Sequence, residues 1–116
     1  MYDAVKLISS YKVDDPWFEK ARQNLLKGSP YSASLVYWQL NQGKALSQAE
    51  VFRQELIFAR QCVRSGEFEE GIRALIVEKD NNPTWALESF EAVNEASMAA
   101  FFEPPWGESA HPLKDL

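Results

Sequence analysis

The chain has 116 residues, 46% apolar and 25% charged, which is enough for one hydrophobic core and too little for two. Its 17 acidic against 12 basic residues give a net charge of −5 with no run of Lys or Arg, which argues against a nucleic-acid partner. The single Cys62 can form neither an internal disulfide nor a Cys/His zinc set, and no apolar run reaches bilayer length, so a soluble cytoplasmic protein is expected.

Period-2 alternation is almost absent while helical stripes and helix punctuation recur, so the expected fold is all-α, with five to six short helices. A first helix is predicted over residues 2–10. Asp15 then stands as an N-cap with Pro16 at the first helical position, and Phe18, Ala21 and Leu25 share a face until Gly28. Ser29 and Pro30 repeat that start signal before Leu35, Val36, Tyr37, Trp38 and Leu40, with Gly43 as the stop. Ser47 and Glu50 have capping-box spacing and open a fourth helix. Its apolar arc is wide, with Phe52, Leu56, Ala59 and Val63 on one face and Val51, Phe58 and Cys62 on the next, and Ser65 and Gly66 end it. A fifth helix is expected over 67–80, stopped by Asn81, Asn82 and Pro83, and a last short one over 95–102. Residues 1–103 form the expected domain, and 104–116, with Pro104, Pro105 and Pro112, a mobile tail.

No Gly-rich phosphate loop, HExxH or CxxC occurs, and no Ser, His and Asp assemble into a nucleophilic set, so no catalytic or metal residue is assigned. His111 lies between Ala110 and Pro112 in the tail and reads as a solvated bystander. Glu55 sits within the arc of Val51, Phe58 and Cys62 and reads as a structural carboxylate that pairs with another helix, while Cys62 reads as packing. Trp17, Tyr31, Tyr37 and Trp38, at helical spacing, read as core. On the fifth helix Phe68, Ile72, Leu75 and Ile76 form a stripe expected to pack inward, and Lys79 falls four residues past Leu75 on the same line. A lysine there complements the helix dipole, but the dipole would be served equally from the solvent side.

Residues 66–83, "GEFEEGIRALIVEKDNNP", have the glycine, aromatic and terminal proline of half a tetratricopeptide unit. Glu78 stands where that pattern wants a small residue, and no second copy lies about 34 residues away, so an interaction module of this kind is the alternative. The ordered segments "SPYSASLVYWQLNQGKALSQAEVF", Glu55, Cys62, "SGEFEEGIRALIVEKDNNPTW" and "FEAV" resemble, over residues 29–103, the C-terminal part of the 3-hydroxyisobutyryl-CoA hydrolase family. That family belongs to the crotonase (enoyl-CoA hydratase/isomerase) superfamily.

The resemblance implies acyl-CoA thioester hydrolysis in valine catabolism, or a related hydratase or isomerase activity, in a parent enzyme. The oxyanion loop and acidic residues of that enzyme would lie in an upstream β/α core, and this chain alone would be inactive. It further implies that the helical region packs on that core and makes homo-oligomer contacts. The lysine of the terminal E-K motif, here Lys79, would help bind the coenzyme A moiety of the substrate; one extra residue precedes that motif here. Tyr31 replaces the family's threonine, and the basic residues near Ser34 and Trp38 are missing.

Overall fold

The computed structural model describes residues 1–106 and 111–116. Among these described residues six α-helices follow one another: α1 (Tyr2–Ser10), α2 (Pro16–Lys27), α3 (Pro30–Gln42), α4 (Gln48–Arg64), α5 (Glu67–Ile72) and α6 (Glu95–Ala99). No strand occurs among the described residues, so the expected all-α class is the observed one.

The starts form as the sequence dictates. The Asp15 carboxylate accepts from Trp17 N–H at 2.8 Å and Phe18 N–H at 3.3 Å, satisfying two of the backbone donors that the first turn of α2 leaves free. Ser29 Oγ accepts from Ser32 N–H at 3.0 Å to open α3. At α4 the capping box is complete: Ser47 Oγ accepts from Glu50 N–H at 3.3 Å and the Glu50 carboxylate accepts from Ser47 N–H at 2.7 Å. Asn94 and Ser97 make a second box on α6, which runs on as a 3₁₀ turn through Phe102. Between α4 and α5 the chain reverses at Gly66, whose φ of +82° is a left-handed conformation open to glycine at little cost.

The core is small and aromatic. Leu35 of α3, Phe58 of α4 and Phe101 after α6 are buried together, with Tyr31, Trp38, Cys62, Met98 and Phe102 around them. Trp38, Phe58 and Phe102 meet edge to face with centroids 5.0–5.7 Å apart, a geometry that sets ring edges against electron-rich faces. Tyr31 and Trp38 are thus core, as expected. Trp17 and Tyr37 are not: Trp17 is 75% exposed on a helix that buries no residue, and Tyr37 lies on the outer side of α3.

Only half of the expected α4 arc is covered. Ile57, Phe58 and Gln61 are buried, whereas Phe52, Ala59 and Val63 face outward, because α3 and the Phe101 segment pack on one side of the helix. Glu55 falls on the exposed side and is reached by Gln39 Nε2 at 3.4 Å. The expected pairing with another helix is therefore present, but on the surface rather than inside an apolar arc.

Of the tail expected to be mobile, residues 107–110 lie outside the described residues, while His111 to Leu113 run beside the start of α4. Arg53 Nε donates to the Leu113 carbonyl at 3.0 Å, and Leu113 N–H donates to His111 Nδ1 at 3.0 Å. His111, half-buried against the Trp106 ring, is a packing residue there.

Candidate functional site

The fifth helix, expected over 67–80, is α-helical only through Ile72; Arg73–Val77 form a π-turn. Glu78 N–H reaches back five residues to the Arg73 carbonyl at 2.8 Å, and Asn81 N–H to the Ala74 carbonyl at 3.1 Å, so the wider loop absorbs the helix end. Lys79 and Asn81 then take left-handed backbone angles, φ 56° and 52°. Asparagine tolerates this; for lysine it costs about 1–2 kcal/mol, so neighbouring contacts must hold it. Lys79 thus does not continue the stripe, as its spacing suggested. It stands in the turn beyond the helix, exposed.

Five hydrogen bonds from Arg73 hold that turn. Nε and Nη2 grip both Glu70 oxygens at 2.8 and 2.7 Å, Nη1 donates to Asp80 at 2.7 Å and to Glu78, and Nη2 reaches the Asn82 carbonyl at 3.2 Å. Asp80 Oδ1 also accepts from Asn82 N–H at 2.8 Å, an Asx turn. The Arg73 guanidinium, with Thr84 N–H assisting at 2.6 Å, holds the Glu70 carboxyl down to about 2. Arg73 also lowers Asp80, and its own proton is held more tightly in return.

Next to this turn α5 secures the segment that follows. Glu67, 4% exposed, accepts from the Ser29 hydroxyl and, at 2.9 Å, from Ala86 N–H. Trp85 lays its ring over Gly71 and donates from Nε1 to the Lys27 carbonyl at 2.8 Å, closing the end of α2. The stripe itself runs opposite to expectation: Phe68, Leu75 and Ile76 are 58, 56 and 59% exposed, since the face turned inward is that of Glu67 and Ala74. A groove of about 270 Å³ lies along that stripe, lined by Ser32, Cys62, Glu67, Phe68, Gly71, Ile72, Leu75, Ile76 and Trp85. Burial and then the Glu67 charge push the Cys62 thiol up, which makes it a poor nucleophile at neutral pH and agrees with packing.

Tyr31, Ser34 and Trp38, the positions where the sequence departs from its resemblance, all face the interior of the helical layer, with the Tyr31 ring tilted against that of Phe101, centroids 4.7 Å apart. The candidate site is therefore confined to α5 and the turn after it. Sequence reasoning located Lys79 but missed Arg73, Glu70 and Glu67. The Glu70–Arg73 pair at i,i+3 and the Asp-Asn-Asn-Pro turn were the available signals.

Residues 2–102 match the enoyl-CoA hydratase/isomerase family, and the chain belongs to that family. The single continuous span takes the place of the tetratricopeptide reading. Among similar proteins are the mitochondrial 3-hydroxyisobutyryl-CoA hydrolases of Gallus gallus, 31% identical over 100 residues, and Xenopus laevis, 33% over 98. That of Danio rerio is 32% identical over 91 residues. These alignments cover 85, 84 and 78% of this chain but only 26, 26 and 24% of the relatives, so the chain spans about a quarter of their length. The names of these relatives place them in mitochondria, whereas composition had suggested the cytoplasm. Among the described residues no helix is long and apolar enough to cross a membrane.

Proposed function

We propose that the chain is the C-terminal helical part of an acyl-CoA thioester hydrolase of the 3-hydroxyisobutyryl-CoA type, acting in valine breakdown. Its part is to supply homo-oligomer contacts and one wall of the coenzyme A site. The observation that carries this reading is the exposed apolar stripe Phe68–Ile76, which ends at a turn bearing Lys79. An apolar face of this kind suits the catalytic portion of a parent enzyme, and an ammonium at its edge suits a phosphate. The C-terminal end of a helix repels anions, so a lysine carried beyond the last carbonyls is a fitting way to bind one there.

The chemistry of thioester hydrolysis belongs to the catalytic portion, which must supply the oxyanion donors. Lys79 would contribute binding energy far from the reacting carbon, equal in ground and transition states. In the longer enzyme carrying this segment, Lys79→Ala is expected to raise the KM for the acyl-CoA by about tenfold with kcat unchanged. Steady-state kinetics measure this, and an unchanged KM removes Lys79 from the site.

A further inference from the structure

We propose that Arg73 is the positioning residue for Lys79: it locks residues 78–82 in the turn that presents the lysine and draws in the carboxylates beside it. A guanidinium has five N–H donors, and here each is used: one on Nε to Glu70, two on Nη1 to Glu78 and Asp80, two on Nη2 to Glu70 and the Asn82 carbonyl. Glu70 lies on the helix and the other three partners lie in the turn, so the clamp spans the two. Lys79 sits between Glu78 and Asp80 in a left-handed conformation that a lysine does not adopt unaided. Without Arg73 the Glu78 and Asp80 carboxylates on either side of the lysine would lose their cationic partner and repel an anionic ligand. A lysine at position 73, a point charge with three donors, cannot reproduce the fork.

The ligand side of this inference rests on the reading of Lys79 given above, and the test separates the two. Arg73→Gln, Arg73→Lys and Asp80→Asn are compared with the parent chain, with far-UV circular dichroism to establish folding. Asp80→Asn weakens the clamp from the turn side alone, should loss of Arg73 unfold α5. A lysine-specific protease is used on Arg73→Gln and Asp80→Asn, neither of which adds or removes a cleavage site, whereas Arg73→Lys adds one and is read by NMR alone. Cleavage after Lys79 is expected to quicken about tenfold or more in both of the former, since cutting follows the population of the opened turn. The strong intraresidue HN–Hα NOE of a left-handed Lys79 should fade with it. In the longer enzyme Arg73→Gln should raise the acyl-CoA KM as Lys79→Ala does, with kcat unchanged.

A folded Arg73→Gln chain in which Lys79 keeps its left-handed NOE and its slow cleavage overturns the proposal. So does an opened turn with unchanged KM when Lys79→Ala raises it. If Lys79→Ala itself leaves KM unchanged, the coenzyme A reading fails, and the clamp is judged on the NOE and the cleavage rate alone.

Discussion

Glu67 connects three parts of the chain with one carboxylate: its own helix, the Ser29 cap of α3, and the backbone of Ala86. The Ser29 hydroxyl donates to Glu67 while its oxygen accepts from Ser32 N–H, so the capping bond of α3 and the anchor of the 84–86 segment share one buried network. Such networks are costly to break halfway, because the groups left behind are buried without partners. Glu67→Ala is expected to destabilise the chain by about 1–3 kcal/mol, read from the urea midpoint. A change within error would mean that water replaces the carboxylate and that the network is not structural. Nothing in the sequence distinguished Glu67 from Glu69 or Glu70, since all three suit the first turn of a helix. Which of them turns inward depends on the Gly66 reversal, a tertiary fact.

At the level of elements the caps were legible and the faces were not. Asp15, Ser29 and the Ser47–Glu50 pair act within a few residues of themselves, so their chemistry alone fixes where α2, α3 and α4 begin. The buried side of α4 depends on what packs against it, and a wide apolar arc offers more surface than α3 and Phe101 can cover. The π-turn after Ile72 escaped for a similar reason: an i,i+4 stripe reads the same whether or not the backbone widens beneath it. The Lys79 turn has its own acid response. The carboxyls of Glu70 and Asp80 lie below their ordinary values in the folded chain, so the stability they lend is complete above about pH 4.5. It is lost as pH falls toward about 2, through the folded value of Glu70. NMR between these limits should show the Asn81, Asn82 and Thr84 amides releasing while the Trp38–Phe58–Phe102 cluster keeps its ring-current shifts. Simultaneous loss of both would mean that the turn has no separate equilibrium.

On the scale of the molecule, the chain is open for its size. It exposes 8277 Å², against about 6,400 Å² for a compact monomer of 13.2 kDa. Its radius of gyration is 15.9 Å, where about 13 Å is usual. Val36, Leu40, Phe68, Leu75, Ile76 and Val77 contribute to that surface. Alone in solution the chain is expected to self-associate, with a weight-average mass above 13.2 kDa in sedimentation equilibrium at tens of micromolar. A clean monomer throughout would count against an apolar face in need of cover. The candidate site was legible only as far as Lys79, because a single cation can be read from a motif whereas the contacts Arg73 makes around it follow from how the chain turns.

The Trp85 indole N–H, bonded to the Lys27 carbonyl, also sets an order of opening. Helix α2 buries no side chain fully and is held by that bond, by Arg22 reaching the Ser9 and Tyr11 carbonyls at 3.4 and 3.3 Å, and by Phe18 set edge to face on the Tyr11 ring, centroids 5.6 Å apart. Hydrogen exchange should therefore find the α2 amides and the Trp85 indole proton leaving together, ahead of α3 and α4, as one sub-global unit. Helix α2 would then behave as a latched flap, with the Trp85 indole as the latch at its far end.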